Sequence, residues 1–245
     1  MKALIFAAGL GTRLKPFTET MPKALVPVGG KSLLEHTISK LRDAGVTEII
    51  INVHHFADQI IDFVHSKNDF NLHITFSDER DLLLDTGGGL KKVAEFLDGD
   101  RPFFVHNVDI LSNVNLRQMY FSHIQSQSLC TLFVSKRKTN RYLLFNREDK
   151  LKGWYNTQTG EIKPKGVIIN PLKYNQLAFN GIHVISPKIF TLMNDWQGQF
   201  SIIDFYLSII EKSNIQLFQE KDVQIIDVGK IASLKEAERF YKKFQ

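Results

Sequence analysis

A single cysteine, Cys130, stands among 245 residues, which excludes an internal disulfide and any cysteine-cluster metal site. No apolar run approaches the roughly 20 residues that a membrane helix needs. The opening stretch, ALIFAAGLGTR after one lysine, is too short and too broken by glycine for a signal peptide, and reads as a first strand. Zinc-ligand spacing, a Ser-His-Asp order, internal repeats, hexapeptide arrays and low-complexity linkers are all missing. These absences point to a soluble, cytoplasmic protein with no membrane partner. The apolar fraction of 43% is ordinary, and the length suits one large α/β domain with a sizeable core.

Charge narrows the classes further. The formal charge is +5 and the pI near 9.1. Nucleic-acid binding would concentrate such an excess on one face. Here Lys and Arg are scattered, with only short clusters such as KRKTNR at 136–141. Small polyanionic substrates explain the excess, and no nucleic-acid partner is expected.

What the chain does have is a glycine-rich, basic stretch right after its first apolar run, FAAGLGTRLKPFTETMPKALVPVGGKS over 6–32. It contains two near-misses. Gly9-Leu10-Gly11-Thr12-Arg13-Leu14 opens like a dinucleotide fingerprint but ends on Leu14. Gly30-Lys31-Ser32 ends like a P-loop, but Leu25 stands where that pattern starts with glycine. Gly9 and Gly11 still allow a backbone to approach an anion with its amides inward. Arg13 and Lys23 bring positive charge for a polyphosphate, while Pro16, Pro22 and Pro27 stiffen the loop.

The rest alternates strands and helices. KALIFAA (2–8), EIIINV (48–53), LHITFS (72–77), PFFVHNVDIL (102–111) and LCTLFVS (129–135) read as strands. Helical stripes lie at 32–45, 57–66, 88–97 and 115–126. The first has Ser32 and Glu35 at capping-box spacing and Gly45 as its stop. This rhythm predicts a parallel, three-layer sheet with ligands beyond the carboxyl ends of the strands. The loop at 9–27 and Asp109 then share one edge. After about residue 140 the pattern changes. A hairpin spans 141–156 with its turn around Arg147–Lys150, TGEIKPKG is a loop, and 177–186 is a strand. Helices follow at 187–194 and 201–213, then a strand over 223–229 with Asp227 at its end and a closing helix over 233–244.

Asp109 and Asp227 each end an apolar strand, where a carboxylate is costly unless it is used or satisfied. They are the best pair for a hard divalent cation, although aspartates also cap loops and helices. DTGGG at 85–89 leads into a helix and permits close contact with a base or ribose, or serves as a flexible helix start. Adjacent His54 and His55 would point to opposite faces of a strand, which makes them a poor metal pair.

Taken together, AAGLGTRLKPFTETMPKALVPV resembles the signature of the sugar-1-phosphate nucleotidyltransferases, Gly-x-Gly-Thr-Arg followed by Pro-Lys-x-Leu. DTGGG, HNVDIL, FNGIHVI and IIDVGKIASLKEAE follow in the same order, so the resemblance covers nearly the whole chain. The short length, DTGGG and NVHHFADQI make it most similar to N-acetylmuramate 1-phosphate uridylyltransferases of cell-wall recycling. Mannose-1-phosphate guanylyltransferases and phosphocholine cytidylyltransferases share much of the pattern.

The resemblance implies a Rossmann-like, three-layer mixed and mostly parallel sheet of GT-A-like architecture with a small sugar-binding insertion. It implies one domain over 1–245, with a nucleotide-binding half at 1–135 and a sugar-binding or lid half at 136–245. Ala8 and Gly9 would meet base and ribose, and Gly11, Thr12 and Arg13 would hold the triphosphate. Lys23 would neutralise the α-phosphate, with Arg13, Lys23 and Asp109 as the catalytic set. Thr86 and Gly88 would select the base, Asn180 and Gly181 would lie near the sugar, and Asp109 and Asp227 would hold magnesium. The partners would be a nucleoside triphosphate and a sugar 1-phosphate, and a homodimer is compatible with the pattern.

Departures exist. The Glu-Lys-Pro motif of larger relatives is absent, Val108 replaces a glycine before Asp109, and 137–178 has no match. A phosphocholine enzyme would want an aromatic or acidic pocket for a quaternary ammonium, and Trp154, Tyr155 and Tyr142 either supply one or pack in the hairpin. A non-catalytic nucleotide-sugar sensor is the reading from another class, and intact Arg13, Lys23, Asp109 and Asp227 speak against it.

Overall fold

The computed structural model describes residues 1–242. Strand β1 (Lys2–Phe6) leads into the glycine loop, and a small antiparallel ladder of β2 (Pro27–Val28) and β3 (Lys31–Ser32) closes it. Helix α1 (Leu33–Asp43) starts where Ser32 Oγ accepts from the Glu35 amide at 3.0 Å. Its end is marked by Gly45 at φ +99. Then come β4 (Glu48–Val53), α2 (Ala57–Ser66), β5 (His73–Asp78), α3 (Asp85–Lys92), α4 (Ala94–Leu97) and β6 (Phe103–Asn107). After these follow β7 (Ile110–Ser112), α5 (Leu116–Ser126) and β8 (Cys130–Ser135).

The second half adds β9 (Arg141–Phe145), β10 (Leu151–Asn156), β11 (Ile162–Lys163) and the long β12 (Asn175–Ile185). It ends with α6 (Ile189–Leu192), α7 (Ile202–Ile209), β13 (Ile215–Phe218), β14 (Ile225–Asp227) and α8 (Ile231–Lys242). The expected closing helix ran to 244; positions 243 and 244 lie outside the described residues.

Strands β6, β1, β4 and β5 lie side by side and parallel. Residues alternate between two apolar layers, as a strand covered on both faces requires. Ala3, Ile5, Ile49, Ile51 and Phe104 join one cluster with Leu34, Ile38 and Leu41 of α1 and Met119 of α5. Leu4, Ile50, Phe103 and Val105 join the other with Leu90, Leu97, Ile202 and Phe205. Each of the larger side chains here, once buried, contributes about 2 kcal/mol. The result is the three-layer mixed α/β architecture expected.

The sheet departs from an all-parallel rhythm at its middle. Strand β12 inserts antiparallel between β6 and β8, and the β9–β10 hairpin extends from its other end. Strand β13, not anticipated, pairs parallel to β8. TGEIKPKG is not all loop, since Ile162–Lys163 pairs with β10. The expected helix over 88–97 breaks at Val93, and those over 187–194 and 201–213 shorten to α6 and α7.

The expected strand 102–111 also breaks. The Val108 amide donates to Phe6 O at 3.1 Å, the chain turns, and β7 pairs instead with β14. No local pattern announces that partner. Inside β12 the register shifts between Phe179 and His183. Gly181 makes this possible at φ +68, where a Cβ would come within 2.7 Å of Asn107 Nδ2.

Candidate active site

The first glycine loop leaves β1 at its carboxyl end. Amides of Ala7 and Ala8 donate to Asn52 Oδ1 at 2.6 and 3.2 Å, so a polar side chain at the end of β4 shapes the turn. Gly11 takes the left-handed conformation at φ +62, its carbonyl accepts from Thr18 Oγ1, and a Cβ there would meet Thr18 at 2.8 Å. Buried Leu14 anchors the following turn, leaving Thr12 and Arg13 exposed. Lys23 comes back along the loop and pairs with Asp109 Oδ2; both side chains are mostly buried.

The second glycine segment is locked by the chain itself. The Gly87 amide donates to Phe200 O at 2.8 Å, and Thr86 Oγ1 accepts from the Ile202 amide at 3.0 Å. All three glycines are buried. A Cβ on Gly87 would strike the Phe200 ring, one on Gly88 the Gly198 carbonyl, and one on Gly89 Glu79 Oε1. The close approach these glycines permit is therefore to the segment 198–200 and to Glu79.

A carboxylate and an amide that sequence reasoning missed link the two loops. Glu79 is 1% exposed. Its Oε1 accepts from Asn52 Nδ2 at 2.9 Å and its Oε2 from the Leu84 amide at 3.1 Å. Asn52 holds the first loop and Glu79 the second. The only sequence signal was a polar residue near the end of each of two strands. Glu79→Ala would strand two buried donors, at about 1–3 kcal/mol. We expect a lower urea midpoint and about tenfold weaker nucleoside triphosphate binding by titration calorimetry; unchanged affinity would show that the loops hold without this link.

Two cavities open beside these loops. One, of about 420 Å³, is lined by Ala8, Gly9, Lys23, Thr86 and Asp109, with Asn52 and Glu79 behind. The other, of about 660 Å³ and more polar, is lined by Arg13, Arg137, Arg141, Trp154, Lys163 and Asp227 among others. The β7–β14 ladder joins their walls. Asp227 stands opposite Ile110, and the Val228 amide donates to Asp109 O at 2.8 Å. Gly229 is hemmed in by Asp227 Oδ1 and the Arg13 guanidinium, which sets Arg13 beside Asp227.

Of the sequence candidates, Ala8, Gly9, Lys23, Thr86 and Asp109 meet in the first cavity, and Arg13 and Asp227 in the second. Gly11, Thr12, Gly88, Asn180 and Gly181 line neither. Asn180 is fully buried, and its Oδ1 accepts from Arg137 Nε at 3.0 Å and Ser135 Oγ at 3.2 Å. It reaches the second cavity through Arg137. Lys163 Nζ bonds Asp204 Oδ1 at 2.8 Å and stands 5.2 Å over the Trp154 ring. His54 Nδ1 bonds Glu79 O at 2.8 Å, while His55 is exposed against Phe56.

A glycine-loop cavity with a lysine–carboxylate pair, joined to a cationic cavity across an acidic ladder, defines a protein that handles phosphorylated nucleotides at the carboxyl edge of a parallel sheet. The family model for nucleotidyl transferases matches residues 2–243, and the chain belongs to that family. It is similar to the N-acetylmuramate alpha-1-phosphate uridylyltransferase of Neisseria meningitidis serogroup B, 29% identical over 97% of both chains. It is 44% identical over 109 residues to the protein of that name from Caulobacter vibrioides, a match taking in 44% of this chain and 45% of that one. A UDP-glucose pyrophosphorylase complexed with UDP-glucose superposes with a TM-score of 0.79 at 20% identity, over 100% of this chain and 99% of the other, and shows the same fold.

Proposed function

We propose that the protein transfers the uridylyl group of UTP to N-acetylmuramate 1-phosphate, giving the UDP-sugar and pyrophosphate. The observation that carries this reading is the joining of the two cavities by the β7–β14 ladder, with Asp109 at its edge in one and Asp227 in the other, which suits a triphosphate in one and a sugar phosphate in the other. The full-length likeness to the Neisseria relative supports the choice of base and sugar.

The acceptor needs no general base, because a phosphate monoester has a second pKa of about 6 and is already ionised. One of its oxygens forms a bond to the α-phosphorus of UTP. The bond from that phosphorus to the bridging oxygen breaks, and its electron pair leaves with pyrophosphate. Lys23 balances charge at the α-phosphate, and Arg13, reaching in beside Asp227 from the second cavity, at the departing pyrophosphate, so catalysis is positioning plus charge stabilisation. Ala8, Gly9 and Thr86 shape the nucleotide side. Gly11 and Thr12 set the loop, Gly88 packs the second glycine segment on Gly198, and Asn180 serves the acceptor side only through Arg137, with Gly181 shaping the strand beside it.

Asp109 and Asp227 would hold magnesium. Among the described residues no third acidic, His or Cys side chain completes a cluster. Two carboxylates fit an ion that takes most of its oxygens from water and substrate phosphate. Asp109 also already faces a cation, Lys23. Bound there, the ion would supply charge stabilisation to the phosphates.

We take the chain to work as one unit in the cytoplasm, residues 1–135 serving the nucleotide and the rest the acceptor. No helix among the described residues is long and apolar enough to cross a membrane. The lysine already over Trp154 disfavours a choline headgroup at that ring.

The test is pyrophosphate release with magnesium across four nucleoside triphosphates and a panel of acceptors: N-acetylmuramate, mannose and glucose 1-phosphates and choline phosphate. The strongest signal is expected for UTP with N-acetylmuramate 1-phosphate. A stronger signal for GTP with mannose 1-phosphate or CTP with choline phosphate would overturn this substrate assignment. Nucleotide-sugar binding without turnover would return the sensor reading.

A further inference from the structure

Four cations, Arg13, Arg137, Arg141 and Lys163, and three carboxylates, Glu161, Asp204 and Asp227, line the second cavity. Lys163 is neutralised by Asp204 at 2.8 Å. Arg13 lies near Asp227 without an ion pair among the described residues, and is the group given to the departing pyrophosphate. Two guanidiniums are left, and both come from KRKTNR, the cluster that looked like scattered surface charge.

Arg137 is half-buried and fixed by two neutral acceptors, Asn180 Oδ1 from Nε and Phe179 O from Nη2, both at 3.0 Å. Its orientation is set but its charge is uncompensated. Arg141, four residues on at the start of β9, lines the same cavity, and its guanidinium has no hydrogen-bond or ion-pair partner among the described residues. Glu161, across the β9–β11 sheet, is the carboxylate that would cancel it, yet no such pair forms. Instead Glu161 remains available to accept from sugar hydroxyl or amide groups.

We infer that Arg137 and Arg141 form a clamp for a second negative charge on the acceptor, a carboxylate carried by the sugar in addition to its anomeric phosphate. This rests on the acceptor side lying in the second cavity, as proposed above. A planar guanidinium already held along one edge presents its remaining N–H groups to a carboxylate with little further ordering cost. A second guanidinium, exposed and unpaired among the described residues, can then close over the same group. The selectivity follows from what is lost without the sugar's carboxylate: two guanidiniums that line one cavity are left without the anion they would share.

The carboxylate can sit on an ether substituent, as in N-acetylmuramate, or on the ring itself, as in a uronic acid, and the test separates these. kcat/KM is measured for N-acetylmuramate 1-phosphate, for N-acetylglucosamine 1-phosphate (the same ring without the lactyl ether) and for glucuronate 1-phosphate, with the native chain, Arg141→Gln and Arg137→Lys. UTP affinity, read separately by titration, controls for loss of fold.

The expected result is a preference for the carboxylated acceptor in the native chain that falls by about 10- to 100-fold in Arg141→Gln, mainly through KM, with UTP affinity held. Arg137→Lys keeps the charge but loses the fork, and should fall between the two. Equal losses on all acceptors, or an unchanged ratio, would overturn the clamp. A native preference for glucuronate 1-phosphate that Arg141→Gln erases would uphold the clamp and overturn the N-acetylmuramate assignment. Native preference for the neutral sugar would overturn both.

Discussion

Asp109→Asn and Asp227→Asn each reduce turnover by about a thousandfold while the chain stays folded and still binds nucleotide. The magnitude is that of removing one well-placed charge from a phosphoryl-transfer site, about 4 kcal/mol. The two variants should differ in one respect. Asp227 is exposed and makes no ion pair among the described residues, so its loss leaves the nucleotide cavity as it is. Asp109 pairs with Lys23 in a mostly buried setting, so Asp109→Asn leaves a lysine without its counterion. That variant should lose stability as well as turnover, and Asp109→Asn with Lys23→Met should recover the stability but none of the activity. Turnover within threefold of native in either single variant would remove that aspartate from the mechanism.

Mild acid should destabilise the protein through its buried histidines. Burial holds His106 at a pKa of about 4, His123 at about 4 and His183 at about 3, with His106 adding to the depression at His183. All three are neutral in the folded chain. An unfolded histidine titrates near 6.5. Above that pH neither state binds the proton and stability is at its full value. As pH falls below 6.5 the unfolded state takes up protons that the folded state refuses, and stability drops until the folded values are reached. At pH 5 the loss is on the order of 2 kcal/mol per histidine, a large part of a typical total of about 5–15 kcal/mol. Lys40, lowered to about 8 by burial, has its own loss complete above this window. The urea midpoint should therefore fall steeply between pH 6.5 and 5, with a shallower fall in His123→Gln. A midpoint constant from pH 7.5 to 5 would refute the assignment of neutral buried histidines.

Elements whose cause is local were readable in advance. Ser32, Glu35 and Gly45 bound α1 where the capping box and stop placed it, and the runs at 2–6, 48–53 and 103–107 form the parallel strands. The elements that misled are those decided by a distant partner. Asp109 leaves its strand because β14 offers a better mate for Ile110–Ser112. Strand β13 is four residues long, and only its ladder to β8 distinguishes it from a loop.

The site divides the same way. Of the candidates that line the two cavities, Gly9, Lys23 and the two aspartates announce themselves by type and spacing. Asn52 and Glu79 act by holding amides, a role any polar residue could have outside this fold. Arg137 and Arg141 become site residues only once β12 has folded back beside β8 and β9.

The ladder between β7 and β14 also has a consequence for assembly. The glycine loops, Lys23 and Asp109 lie in the first half of the sequence, whereas Asp227 and the strand that seats it lie in the second. The first half alone would also lack Phe200 and Ile202, which lock the second glycine segment, so neither cavity is complete until the two halves have paired.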